Sequence, residues 1–175
     1  TGANVAIGEI VTYQITVDLL SGVAMNNVVV TDTMDRGLAF VDCGSIILDG
    51  TDITAAVCPP MVSAVGNPAD VANAGRQVVF TIGNIPAPAV DTTLVIRYDV
   101  IVLDINTNQQ GVALNNSATV TWSGGTLSSS APNVNIVEPD MSIDKSATPN
   151  QGVPLGTPIQ FTLVIDHTTP GSQVD

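Results

Sequence analysis

Apolar and polar residues alternate in short runs along most of this chain, which is the two-residue period of half-buried strands. In residues 11–18 the alternation is strict. Val11, Tyr13, Ile15 and Val17 take one face, and Thr12, Gln14, Thr16 and Asp18 take the other. Further strands are predicted over 28–33, 38–48, 77–82, 92–103 and 112–122, with turn signals at Asn26-Asn27, Arg36-Gly37 and Gly124-Gly125. Residues 59–75 predict a loop or short strands, and residues 106–111 a hairpin turn between the last two long strands. Ser128, Ser129 and Ser130 lead into a closing strand over 133–137. Many short strands with regular turns predict an all-β chain, an antiparallel β-sandwich with Greek-key connections.

The pattern of residues 5–18 returns at 153–166. Val5, Gly8 and Asp18 recur at a constant offset as Val153, Gly156 and Asp166. The inward positions also correspond one for one: Val11 with Ile159, Tyr13 with Phe161, Ile15 with Leu163 and Val17 with Ile165. Chance likeness between two strands does not account for the turn glycine and the terminal Asp falling in register, so the build is modular. Residues 1–138 are expected to form one repeat domain lacking its first strand. Residues 139–175 are expected to supply a linker, centred on Glu138-Pro139-Asp140, and the opening strands of the next copy or a segment donated to a neighbour. The chain opens on Thr1 and not on Met, which predicts a processed or excised piece of a longer protein.

Composition narrows the function. Val, Ile and Thr favour the pleated surface of a strand, and glutamate occurs only at Glu9 and Glu138. The hydrophobic fraction of 45% is enough for a core, while the net charge is −12 with only four basic residues: Arg36, Arg76, Arg97 and Lys145. A nucleic-acid binder needs clustered positive charge to displace phosphate counterions, so that class is excluded. No apolar run approaches the roughly 20 residues of a spanning helix, and no membrane insertion is expected from this segment. Cys43 and Cys58 close a short loop. An acidic, lysine-poor, Thr- and Asn-rich chain points to an extracellular setting and to a disulfide between them, the alternative being two separate thiols. Such a bond stabilises by about 3 kcal/mol in the chain-entropy description.

Four stretches carry a family resemblance. They are the lysine strand Ile143-Asp144-Lys145-Ser146-Ala147-Thr148-Pro149, the Gly-x-x-Val-Thr-Tyr-x-Ile-x-Val run from Gly8 to Val17, the Val-x-Val-Thr-Asp-Thr run from Val28 on to Leu38, and Asn116-Ser117-Ala118-Thr119-Val120. Together they resemble the repeat domain found in tandem in bacterial and archaeal surface proteins, related to isopeptide-forming fimbrial and adhesin Ig-like domains. The resemblance covers nearly the whole chain, apart from 43–75. It implies a cell-surface stalk, adhesin or fibre subunit. Copies of itself or adjacent repeats are the expected partners, with a surface ligand in the adhesin case.

In isopeptide-forming relatives the first-strand lysine bonds to the late asparagine with help from a buried acid, which implies Lys145, Asn116 and Asp32 here. Strand parity bears on the same residues independently. Lys145 shares its face with Met141 and Ile143, Asp32 with Val28, Val30 and Met34, and Asn116 with Leu114, Ala118, Val120 and Trp122. Each stands where an apolar residue is expected, and burying a charge unpaired is costly. The simpler alternative has Lys145 reaching solvent or an acid, Asp32 capping a turn and Asn116 bonding to backbone. By the repeat pattern Lys145 belongs to the following copy. Its strand therefore either opens the next tandem repeat or completes a neighbouring subunit by strand addition, in a head-to-tail filament.

Asp104, Asn106 and Asn108 have the alternating oxygens of a calcium loop but lack its Gly at the sixth position and its Glu at the twelfth. Asp49 and Asp52 form a second small acidic group. His167 is the one histidine, which excludes a multi-histidine zinc site and argues against a Ser-His-Asp triad. No enzyme activity is expected beyond the self-directed Lys–Asn bond, and no cofactor. Aromatics are only 3%, so an aromatic sugar platform has little material, and Trp122 is expected in the core.

Overall fold

The computed structural model describes residues 3–138 and 141–167; Pro139 and Asp140 of the expected linker, with residues 168–175, lie outside the described residues. The chain divides into two compact units, 1–137 and 138–175. The first carries β1 (Asn4–Val5), β2 (Ile10–Leu19), β3 (Met25–Met34), β4 (Leu38–Leu48), β5 (Thr51–Asp52) and β6 (Met61–Ser63). It continues with β7 (Gln77–Ile85), β8 (Thr92–Val102), β9 (Ala113–Leu114), β10 (Asn116–Trp122), β11 (Gly125–Ser130) and β12 (Val134–Ile136). The second unit carries β13 (Met141–Thr148) and β14 (Gln160–His167).

Two antiparallel sheets form an Ig-like sandwich in the first unit, with strand orders β2-β8-β4-β5 and β11-β10-β3-β7-β6. A small third sheet, β1-β12-β9, contains a parallel pair, β1 with β12. The two-residue period builds this arrangement directly. In β2, Tyr13, Val17 and Leu19 are buried while Thr12, Gln14, Thr16 and Asp18 are exposed. Facing them across the sandwich, Val28 and Val30 of β3 and Phe80 of β7 are fully buried. Tyr98 of β8 lies at the centre, its ring 5.6 Å from that of Phe80 and 6.0 Å from that of Tyr13. Cys43 on β4 is disulfide-bonded to Cys58, which follows the single helical turn α1 (Thr54–Val57). Trp122 packs partly buried against the core.

The chain around 106–111 is not a hairpin turn. β8 lies between β2 and β4 in one sheet, whereas β10 lies between β3 and β11 in the other, so this segment crosses between sheets. Asn108 pins the crossing: it is fully buried, and its Nδ2 donates to the carbonyls of Gly37 at 3.0 Å and Leu103 at 2.8 Å. Gly37 has a φ of +114°, and a Cβ there would run into the Asn108 amide. The expected strand 112–122 is also broken in two. Asn115 turns aside to bond Asp35, through its backbone N–H at 2.8 Å and its Nδ2 at 3.2 Å, separating β9 from β10. Gly125–Ser130 forms a hairpin with β10 and is separate from the closing strand β12.

In the second unit β13 and β14 pair antiparallel, with Lys145 opposite Leu163 and Ile143 opposite Ile165. Gly8 and Gly156, the matched turn glycines of the repeat, both have positive φ, +86° and +89°.

Candidate functional site

Asp32 lies in the middle of β3, paired with Ala118 of β10 on one side and Val78 of β7 on the other. Its even spacing from Val28, Val30 and Met34 turns it into the core, where it is 1% exposed. Asn116 begins β10 on the same inward face and is 3% exposed. Tyr98 approaches from the opposite sheet, and Asn116 Nδ2 donates to its hydroxyl at 2.9 Å. The structure thus brings together two of the residues predicted for the isopeptide chemistry and adds a phenol to them.

Several polar atoms in this cluster have no partner: Asp32 Oδ1, Asn116 Oδ1 and the Tyr13 hydroxyl. Native interiors rarely tolerate this without a reason, because each unsatisfied buried group carries its desolvation cost. Beside them lies a cavity of about 250 Å³, lined by Tyr13, Ile15, Asp32, Tyr98, Asn116 and Ser129 among others. Burial pushes the Asp32 carboxyl up to about 6, against the opposing pull of hydrogen bonds from Tyr98 and Asn116. Burial, and then the nearby Asp32 and Asp35, pushes the Tyr13 phenol up to about 12. Tyr98 is raised too, by burial first and then by Asp32. The arginines are engaged elsewhere: Arg36 with Asp70, Arg76 with the Met34 carbonyl, and Arg97 with Gln14.

The cavity lies between two sheet edges. β2 ends the four-stranded sheet and β11 ends the five-stranded one, so among the described residues neither has a strand on its outer side. A neighbouring hollow of about 280 Å³ continues the same groove, sharing Ile15, Thr16, Ala118 and Ser129 with the first and adding Val17, Val120 and Leu127. Leu127 is paired with Val120, which turns it toward the sandwich interior, yet it is 59% exposed.

Lys145 belongs to the second unit. It shares its face of β13 with Met141 and Ile143, as the parity predicts, but that face is exposed, and the ammonium sits 5.0 Å from the centre of the Phe161 ring. The calcium-loop residues are not gathered into one site. Asp104 and Asn106 are exposed, whereas Asn108 is buried with its amide committed to backbone carbonyls. Asp49 is exposed at a turn, and Asp52 accepts the Thr54 backbone N–H at 2.8 Å. Among the described residues no group of three or more His, Cys, Asp or Glu side chains could hold a metal ion. Nor is any helix among them long and apolar enough to cross a membrane.

The sequence reading missed Tyr98. Its signal is the one that exposed Asp32: a polar atom at an inward position, here between Ile96 and Val100. An aromatic ring satisfies the apolar pattern, so its hydroxyl went unnoticed.

No protein-family model matches this chain, and no curated protein does. Solved structures do. The full-length RrgB pilus protein of Streptococcus pneumoniae aligns with a TM-score of 0.52 and 18% identity, over 70% of this chain and 19% of that one. The pilus backbone RrgB of the same organism aligns with a TM-score of 0.50 and 18% identity, over 70% of this chain and 26% of that one. The full-length major pilin SpaD of Corynebacterium diphtheriae aligns at 0.49 and 16%, over 81% of this chain and 34% of that one. The RrgB likeness shows a shared fold, and this chain spans about a fifth to a quarter of those proteins.

Proposed function

We propose that this chain is a structural building block of an extracellular surface protein or fibre, a stalk or filament subunit whose neighbours join by donating a strand. One observation carries the reading: a buried, incompletely bonded cluster of Asp32, Asn116 and Tyr98 opens into a groove between two strand edges without partners. Open edges invite pairing with another chain, and proteins that do not use them usually blunt them. Strand addition from copy to copy is a head-to-tail contact, which yields a fibre when it does not close into a ring. The likeness to a pilus backbone protein supports the same reading. The acidic composition and the Cys43–Cys58 bond support an oxidising, extracellular setting.

In this reading Asp32 and Asn116 are the receiving half of a Lys–Asn bond, and Lys145 is the giving half. The neutral lysine Nζ attacks Asn116 Cγ, the Cγ–Nδ2 bond breaks, and ammonia leaves carrying the proton that Nζ gives up. Asp32, held toward its protonated form by burial, donates to Oδ1 as charge develops there and relays that proton. The lysine must lose its charge first, which a dry groove favours. Electron microscopy of the purified chain tests the subunit role: filaments are expected. Dispersed particles that bind a glycan or host protein would overturn it in favour of an adhesin.

A further inference from the structure

Resting on the fibre-subunit reading, we infer that the β2–β11 groove is the acceptor for strand Met141–Thr148 of a second copy of this chain, antiparallel to β2 with Lys145 opposite Ile15. The register comes from the chain itself. β14 follows the apolar pattern of β2 position for position, so the pairing of β13 with β14 shows how the lysine strand meets a strand of this pattern. Leu163, the residue opposite Lys145, corresponds to Ile15. Ile165, opposite Ile143, corresponds to Val17, and Phe161, opposite Ala147, corresponds to Tyr13.

Transferred to β2, this register matches the groove point by point. Directly opposed residues of an antiparallel pair project to the same side. Lys145 beside Ile15 therefore points inward, toward the cavity where Asp32 and Asn116 have free oxygens. Ile143 beside Val17 falls on the apolar hollow lined by Val17, Val120 and Leu127. Ser142, Asp144 and Ser146 face outward, opposite the exposed Asp18, Thr16 and Gln14 of β2 respectively. A register shifted by one residue would turn Lys145 to solvent and drive Asp144 toward Asp32.

The donor side fits as well. Met141 is 54% and Ile143 66% exposed on β13, an apolar face with no cover among the described residues of its unit. Exchanging β14 for β2 keeps the ladder hydrogen bonds and gains burial of that face, as well as of Leu127 on the acceptor.

Engineered disulfides between full-length chains test the register, because the native cysteines are already bonded to each other. A chain carrying Ile15→Cys is mixed with one carrying Lys145→Cys, and a second pair uses Val17→Cys with Ile143→Cys. Non-reducing gels should show both matched pairs linking about ten-fold faster than Ile15→Cys with Ser146→Cys, since only opposed residues bring their Cβ atoms within disulfide reach. The second matched pair guards against misfolding of the first. Equal rates for matched and mismatched pairs, or no linking in either matched pair, would overturn the assignment. Filaments of the wild-type chain without matched linking would remove this groove but keep the fibre reading. Matched linking without filaments would keep the groove and remove the fibre.

Discussion

The same strand pattern occurs twice in this chain with opposite fates. In β2, Tyr13 and Val17 are 7% and 6% exposed beneath the facing sheet; in β14 their counterparts Phe161 and Ile165 are 59% and 62% exposed. The two-residue period and the positive-φ glycine ahead of the strand are common to both. Local sequence therefore makes the strand, and only the opposing sheet makes the core. A lone two-stranded ribbon is marginal in water, so β13 and β14 present an apolar face that gains from any cover, whereas β2 has its inner face covered and only its edge open.

The largest test of that contrast deletes matched rings. Tyr13→Ala should destabilise the first unit by about 3–4 kcal/mol in urea unfolding, as large-to-small core changes do. Phe161→Ala should leave that transition within about 0.5 kcal/mol. Equal effects would mean that the two strands share one environment.

Reducing the Cys43–Cys58 bond should lower the stability of the first unit by about 3 kcal/mol, read as a shift in the same urea midpoint. A lysine in the groove acts in the opposite direction on the buried acid. With the groove empty, the folded chain holds the Asp32 proton more tightly than the unfolded chain, so stability falls as pH rises from about 4 to about 6 and is level above. The loss from this group is about 2–3 kcal/mol, and Asp32→Asn should remove the slope in pH-resolved unfolding. Smaller again is Tyr98→Phe, which strips the partner from Asn116 Nδ2 and should cost about 1–2 kcal/mol at neutral pH.

Most of the sandwich was legible from alternation alone. β4 runs from Leu38 to Leu48 as predicted, and Asp32 and Asn116 betrayed themselves as polar residues at inward positions. The crossing near Asn108 was not legible, because an Asn-rich segment reads the same whether it turns a hairpin or spans two sheets. What decides is a buried amide reaching Gly37, distant in sequence, and local pattern does not carry that. β11 escaped because its Ser-rich run offers few apolar positions, and the one inward leucine, Leu127, is largely exposed. The open groove is likewise a property of sheet order, which a one-dimensional pattern does not contain.

A lysine delivered to Asp32 and Asn116 by an incoming strand would leave a covalent junction between chains. Intact mass of the purified chain under reducing, denaturing conditions reads it most directly. Covalent multiples of the chain are expected, each lighter by one ammonia per junction and absent in Lys145→Arg. A single species at the full sequence mass would contradict it.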